Sequence, residues 1–350
     1  MDGMQEQGAV RREFSFTGEG GEYFRIWIVN LLLSIITLGI YSAWAKVRRE
    51  QYFHRNTVLD GSALEYHGQP LAILKGRLLI VGLLAFQQIA GGISPVVAAL
   101  LSLAFSIALP WIICQAIRFR AWNTSWRGVH LGFTGSFRGM ARVYFLNGLL
   151  VVVTLGLATP WWLNRFQRYI FSNLRFGGEP FEAEPPVWDY YKPLLVLAVV
   201  FIAGLGLLVG SFFASVMHGG AGAAPSATAM SSFSFMLIVF YFVLYLVGAS
   251  YVKARLANAL WNHTRVGEHQ FHSSYSSRKL FTLTLSNSIA IVLSLGLFLP
   301  FAKVRLARYR AQTMALESDS DLDSFVAQQE EQARAVGDQA AELLDVDLGF

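Results

Sequence analysis

Three asparagines, Asn30, Asn147 and Asn287, stand at matching places in otherwise apolar stretches of this 350-residue chain. A side-chain amide surrounded by hydrocarbon must find a hydrogen-bond partner. Three equivalent amides are therefore candidates for lining a polar intramembrane site or a water-filled path. The plainer reading is glue between helices, worth about 0.6–2 kcal/mol per contact. A second set pairs Arg48, Arg165 and Arg305 with Tyr52, Tyr169 and Tyr309, four residues on in each case. That spacing puts each pair on one helix face. A guanidinium grips phosphate through two parallel hydrogen bonds, so these are candidate headgroup or phosphate contacts. Trp44 and Trp161 precede them by one turn, and interfacial anchors of aromatic and basic residues look the same. His263, His269 and His272 fit no common zinc spacing and have no cysteine nearby. No phosphate-binding loop, nucleophile elbow or dinucleotide fingerprint is present. The expectation is a protein that is not an enzyme and uses no metal or cofactor.

The elements that must position these residues are apolar. Hydrophobic residues make up 54% of the chain and charged ones 15%, against about 25% charged in a soluble domain. Windows 26–45, 78–117, 143–164, 193–252 and 280–302 contain no Asp, Glu, Lys or Arg. A helix needs about 20 apolar residues to cross a bilayer. The first, third and fifth windows are one segment long. The second and fourth read as hairpins, broken near Gly91-Gly92-Ile93-Ser94-Pro95 and in the small-residue run 219–232. Open sheets cannot cross lipid. The predicted class is therefore an all-α polytopic integral membrane protein of about seven hydrophobic segments. Its first apolar run lacks a cleavage site and reads as a retained segment, not a signal peptide. The lone Cys114 permits no internal disulfide.

The segments recur. Phe16-Thr17-Gly18, Asn30, Thr37-Leu38-Gly39, Trp44, Arg48, Tyr52, Asn56 and Gly61 return 117 positions later, without a gap. A weaker copy 257 positions on keeps Asn287, Ser294-Leu295-Gly296, Arg305 and Tyr309. These A units (14–68, 131–185 and 271–313) alternate with two B units (69–130 and 186–270) in an A-B-A-B-A internal repeat. A polar segment, 1–13, precedes them, and an acidic tail, 315–350, follows. Asn-x4-Gly occurs at Asn56/Gly61, Asn123/Gly128, Asn173/Gly178 and Asn262/Gly267. Asp60-Gly61 and Gly177-Gly178 suit tight turns, so these stretches read either as short juxtamembrane β-hairpins or as irregular loops.

Phe14 to Phe24 (Phe-x-Phe-x-Gly-x-Gly-x-Glu-Tyr-Phe), Thr37-Leu38-Gly39-Ile40-Tyr41-x-x-Trp44 and Asn56-Thr57…Gly61…Tyr66-x-Gly68 resemble the YjgN-like bacterial inner-membrane proteins (DUF898), a family of unknown function. The resemblance covers roughly residues 14–313. Ala43 stands where family members often have Pro, a residue kept at Pro160 and Pro300. The resemblance implies a bacterial inner-membrane location and supplies no activity.

Charge sets the orientation and the partners. Residues 315–350 hold ten acidic residues and one basic, leaving 27 basic against 13 acidic elsewhere, mostly beside apolar windows. That belt fits anionic lipid headgroups better than nucleic acid. Basic residues stay cytoplasmic, yet one apolar segment lies between Arg118 and Lys192, both of which flank B hairpins on that side. Either the A segments are re-entrant, or all seven segments span and successive copies are inverted. Plain hydropathy favours seven spans; the persistence of Arg165 and Arg168 favours re-entrance. Both topologies put the C-terminus of this multi-pass protein in the cytoplasm. The tail reads as disordered or a short helix, with a protein partner as one role. The first functional expectation is a passive channel or transporter for a small polar or lipidic molecule. The alternative is a membrane-organising or protein-interaction scaffold that uses the basic belt and the acidic tail. Neither oligomeric state nor substrate is written in the residues.

Overall fold

A computed structural model describes residues 10–218, 226–318 and 321–331. It overturns the seven-span, all-α expectation in two ways. Among the described residues, four helices are long and apolar enough to cross a membrane, and ten short strands close into an antiparallel barrel.

The strands are β1 (Val10–Phe16), β2 (Thr57–Leu59), β3 (Ser62–Tyr66), β4 (Thr124–Trp126), β5 (Val129–Phe133), β6 (Leu174–Phe176), β7 (Glu179–Ala183), β8 (Thr264–Val266), β9 (His269–Ser273) and β10 (Met314–Ser318). Their order round the barrel is β1-β10-β9-β8-β7-β6-β5-β4-β3-β2. Tight turns join β2 to β3, β4 to β5, β6 to β7 and β8 to β9. Asp60-Gly61 and Arg127-Gly128 supply consecutive positive φ angles there, which matches the twist of the flanking strands. The seam is made by β1, whose first half pairs with β10 (Val10↔Ser318) and whose second half pairs with β2 (Phe16↔Thr57).

Every other pair of neighbouring strands is joined by a helical hairpin that leaves the barrel and returns to it. α1 (Gly20–Ile36) and α2 (Ser42–Arg55) lie between β1 and β2; α3 (Pro70–Ile93) and α4 (Pro95–Trp122) lie between β3 and β4. α5 (Phe137–Ala141), a π-helical turn (Arg142–Leu146), α6 (Asn147–Val153) and α7 (Thr159–Ser172) lie between β5 and β6. α8 (Val187–His218) and α9 (Ala227–Trp261) follow β7, and α10 (Ser277–Leu293) and α11 (Leu299–Gln312) follow β9. Each helix packs on the next, and α11 packs on α1, so five hairpins form a closed ring under one end of the barrel.

The hairpins have two heights. α3, α4, α8 and α9 run 24 to 35 residues, about 36–52 Å at 1.5 Å per residue, enough for a hydrocarbon core of about 30 Å. The 17-residue α1 and 14-residue α2 reach only about 21–25 Å. The three short apolar windows therefore turn back on themselves.

The turn is the Thr/Ser-Leu-Gly step. Leu38, Leu155 and Leu295 all have φ near 50°, and Gly39, Gly156 and Gly296 lie at 90–93°. Each glycine N–H donates to the carbonyl five residues back: Gly39 to Ser34 (2.7 Å), Gly156 to Val151 (2.7 Å) and Gly296 to Ile291 (2.8 Å). The hydroxyls of Thr37, Thr154 and Ser294 accept from the N–H four residues on, at 2.9–3.0 Å. The tip thus satisfies its own backbone N–H groups, a requirement wherever water is excluded.

At the barrel end, aromatic-x-Gly pairs make the junctions compact. A Cβ on Gly135 would sit 2.3 Å from the Phe133 ring, and one on Gly68 would sit 2.4 Å from Tyr66. Asn56, Asn123 and Asn173 close their helices by donating to the carbonyl four residues back at 2.7–2.8 Å.

Trp126, Phe176, Phe181, Leu59, Val129, Val266 and Leu316 fill the barrel. A ten-strand barrel is wider than the eight-strand kind that side chains just fill. Part of the acidic tail supplies the remainder. Residues 322–331 are helical (α12), and they insert Leu322 and Val326, both buried, among those side chains. Gln329 Oε1 accepts from the N–H groups of Gly178 (2.9 Å) and Glu179 (3.2 Å), and Asp323 pairs with Arg127. α12 thereby covers the barrel mouth farthest from the helical ring. Residues 314–318 of the segment read as tail or repeat edge are strand β10, and residues 10–13 of the polar N-terminal segment are in β1. Residues 1–9 and 332–350 lie outside the described residues.

Candidate functional site

A cavity of about 510 Å³ lies between the barrel and the helical ring. Its roof is the barrel rim, with Phe14, Leu64, Phe271 and Met314. Its walls come from helices spread round the ring: Arg49, Glu50, Phe53 and His54 on α2, Arg120 on α4, Trp261 on α9, and Lys303 and Arg310 on α11. A second lobe of about 580 Å³ shares Arg49, Glu50 and Arg120 and continues between α2, α3 and α4. There it adds Lys46 and Arg77 to an apolar lining that includes Ile73, Ile80 and Ile117. The two lobes together present six cations and one carboxylate, Glu50, which takes a 2.8 Å ion pair from Arg49.

The electrostatics follow from burial. Lys46 is pushed below the ordinary lysine range, first by desolvation and then by Arg77. Lys303 moves the same way, through desolvation and Arg49. Any anion bound in the chamber would raise both again, so its binding would take up protons and would weaken as pH rises through those depressed values. His54, with Nδ1 2.7 Å from the Glu50 carbonyl oxygen, is pushed below the ordinary histidine pKa mainly by burial. An unfolded histidine takes up a proton near pH 6.5 that the folded one resists. Stability from this residue is therefore complete above about pH 6.5 and falls as the pH drops below it. His54→Gln should flatten the acid limb of a thermal-melting profile while leaving the neutral region almost unchanged.

The residues singled out from the sequence occupy other places. Asn30 and Asn287 are buried and Asn147 is half-buried, each in its own short hairpin. No hydrogen bond among the described residues joins one to another. Asn287 Oδ1 accepts from Arg305 Nη1 at 2.7 Å, across α10 and α11. The tyrosines clamp hairpins. Tyr52 Oη accepts from Glu19 N at 2.9 Å and donates to Glu19 O at 2.8 Å, and Tyr309 does the same at Ser276. Tyr169 Oη donates to Ser136 O at 2.9 Å. Burial moves the Tyr52 hydroxyl up to about 12, which suits a structural clamp. Arg48 lies over Tyr41 and Arg165 over Trp161. Arg48 and Arg305 line grooves between the arms of the first and third short hairpins.

The chamber residues escaped sequence reading because that reading weighted positions present in every copy. Lys46 and Lys303 lie 257 positions apart, but Leu306 stands opposite Arg49, and Ala307 opposite Glu50. The available signal was a set of cations most of which, Lys46 and Lys303 apart, have no basic counterpart 257 positions away.

No solved structure matches this chain. Inner membrane protein YjgN of Salmonella typhimurium (strain LT2) is 25% identical, over 87% of this chain and 88% of its own length. Inner membrane protein YjgN of Escherichia coli strain K12 is 26% identical over 61% of this chain and 50% of its own length; that of E. coli O157:H7 is 25% identical with the same coverage. The family described as "Bacterial protein of unknown function (DUF898)" matches residues 11–343. With nearly the whole ring and barrel inside that match, this chain belongs to the DUF898 family and is an integral protein of the bacterial inner membrane.

Proposed function

We propose that the protein is a passive transporter of a lipidic anion, whose headgroup enters the basic chamber from the side while its chains stay in the membrane. The observation that carries this reading is the chamber itself, with six cations facing one carboxylate where helices meet barrel. Burying that much positive charge is costly unless an anion offsets it. The axial route through the barrel is filled by Trp126, Phe176 and their neighbours, which favours lateral entry, and the lobe between α2, α3 and α4 supplies an apolar-lined side. In this reading the long hairpins cross the bilayer and the short ones are re-entrant copies of one unit. The barrel faces the cytoplasm, because the far turn near Ser94 contains no Lys or Arg, and the sequence 219–226 contains none either. No chemical step is assigned, and flux follows the gradient.

Vesicles containing the purified protein and a headgroup-labelled fluorescent anionic phospholipid test this. An impermeant reductant added outside bleaches inner-leaflet label only if lipid crosses. Bleaching should be complete with the protein, and Arg49→Gln with Arg120→Gln should slow the second phase by about tenfold, the effect of about 1.4 kcal/mol. Bleaching that halts at half with the unaltered protein, as in empty vesicles, would reject the reading.

A further inference from the structure

The two grooves on the short hairpins correspond position by position. Between α1 and α2 the groove of about 480 Å³ is lined by Glu22, Arg25, Arg48, Gln51, Tyr52 and Arg55, among others. Between α10 and α11 the groove of about 530 Å³ has Lys279, Thr282, Arg305, Arg308, Tyr309 and Gln312 at the places 257 further on, with Arg278 added. Lys279 thus replaces the acid and Arg308 replaces Gln51, while Thr282 and Gln312 stand where the first groove has Arg25 and Arg55. The α10–α11 groove gathers four cations and, among the described residues, no carboxylate.

None of these four cations is in an ion pair among the described residues, whereas Arg12, Arg127, Arg168 and Arg265 near the barrel all are. Arg305 is held in place by Asn287, and its Nη2 donates to Ser286 Oγ at 3.3 Å. Arg308 Nη2 donates to the Gly18 carbonyl at 3.0 Å, which fixes it between hairpins. Two oriented guanidiniums beside two further cations make a forked receptor for phosphate oxygens. About 9 Å lower, by the rise from Leu299 to Arg305, the same hairpin turns apolar and bare. Val292, Leu293 and Leu295 are 73–94% exposed there. A cationic fork above an open apolar wall matches a molecule with a phosphate head and hydrocarbon chains.

We propose that the α10–α11 groove is a docking site for an anionic phospholipid of the barrel-side leaflet, its phosphate between Arg278, Lys279, Arg305 and Arg308 and its chains along the hairpin tip. The site lies on the outer face of the hairpin and does not depend on the chamber or on transport. The α1–α2 groove, carrying Glu22, is its weaker counterpart.

The test is native mass spectrometry of the full chain taken from vesicles of phosphatidylglycerol and phosphatidylcholine in varied ratio. The unaltered protein should retain phosphatidylglycerol preferentially. Arg278→Gln, Lys279→Gln and Arg308→Gln together should remove one retained lipid and weaken retention about a hundredfold, at about fivefold per cation. Arg305 is left intact so that its bond to Asn287 survives. If that variant does not fold, Lys279→Glu recreates the charge found at Glu22 and should lower retention alone. Equal retention of phosphatidylcholine, or phosphatidylglycerol counts unchanged in the variants, would overturn the proposal. Displacement of the lipid by millimolar inorganic phosphate would also overturn it, because the groove would then be selecting a free anion. Loss of retention with lipid flux intact separates this site from the transport reading.

Discussion

Replacing Leu38, Leu155 or Leu295 by aspartate should cost about 2.5–3.5 kcal/mol per tip, the penalty for an acid placed deep in a membrane. The sign makes this decisive. Each leucine sits at φ near 50° and is 94% exposed. In water that is an unfavourable choice, since a left-handed backbone costs most residues about 1–2 kcal/mol and aspartate tolerates it better. If the tips faced water, the aspartate variants would melt at or above the parent temperature. If the tips lie in hydrocarbon, leucine is there because an apolar side chain is worth more than the backbone strain. Thermal midpoints in lipid nanodiscs, together with the yield of membrane-integrated protein, decide between these outcomes. The aspartate variants are expected to lose both, and the triple variant is expected not to insert its short hairpins.

Leu322→Ala should release α12 from the barrel mouth. Leu322 is 1% exposed and lies among Trp126, Val129 and Phe176, so truncation costs about 2–5 kcal/mol of local packing. An isolated helix of this length is marginal in water, and the remaining contacts include Val326, Phe325, the Gln329 bonds and the Asp323–Arg127 pair. The expected result is fast protease cleavage beyond Ser318 while amide exchange in β2 to β9 stays slow. Cleavage as slow as in the parent would show that Leu322 does not hold the helix. Uniformly faster exchange through the barrel would show that α12 is integral to barrel stability and not an attachment to it.

Much of this architecture is written in short-range chemistry, and the remainder is not. The Thr/Ser-Leu-Gly step marked each tip because a hydroxyl, a left-handed residue and a glycine are what a self-satisfied turn needs. Asp60-Gly61 marked a strand turn for a similar reason. Hydropathy could not separate a 20-residue span from two short arms, because both present the same uncharged window. Whether 26–45 crosses or returns depends on where residues 20 and 56 sit, and that is fixed by strand pairing across the sequence. Closure of the barrel was hidden further, since β10 comes from residues read as the beginning of an acidic tail and β1 from residues around the polar N-terminal segment. Strands of three to seven residues carry too little alternation to announce a ten-membered ring. The candidate site was least legible. Arg48 and Arg305 do line grooves, but the chamber gathers Arg49, Arg120 and Arg310 from three hairpins, each unremarkable in its own stretch. A clamp on a helix start and a headgroup contact call for a tyrosine at the same height, so the sequence alone does not separate the two roles.

The seam between β1 and β10 has a consequence for biogenesis. The five hairpins leave the ribosome in order, yet the cylinder beside them stays open on one side until Met314–Ser318 has been made. Until then each nascent form carries two unpaired strand edges, the kind of surface that captures another chain. Two copies stalled at that stage could exchange β10 and α12, so slow synthesis of residues 314–331 should favour intertwined dimers over monomers.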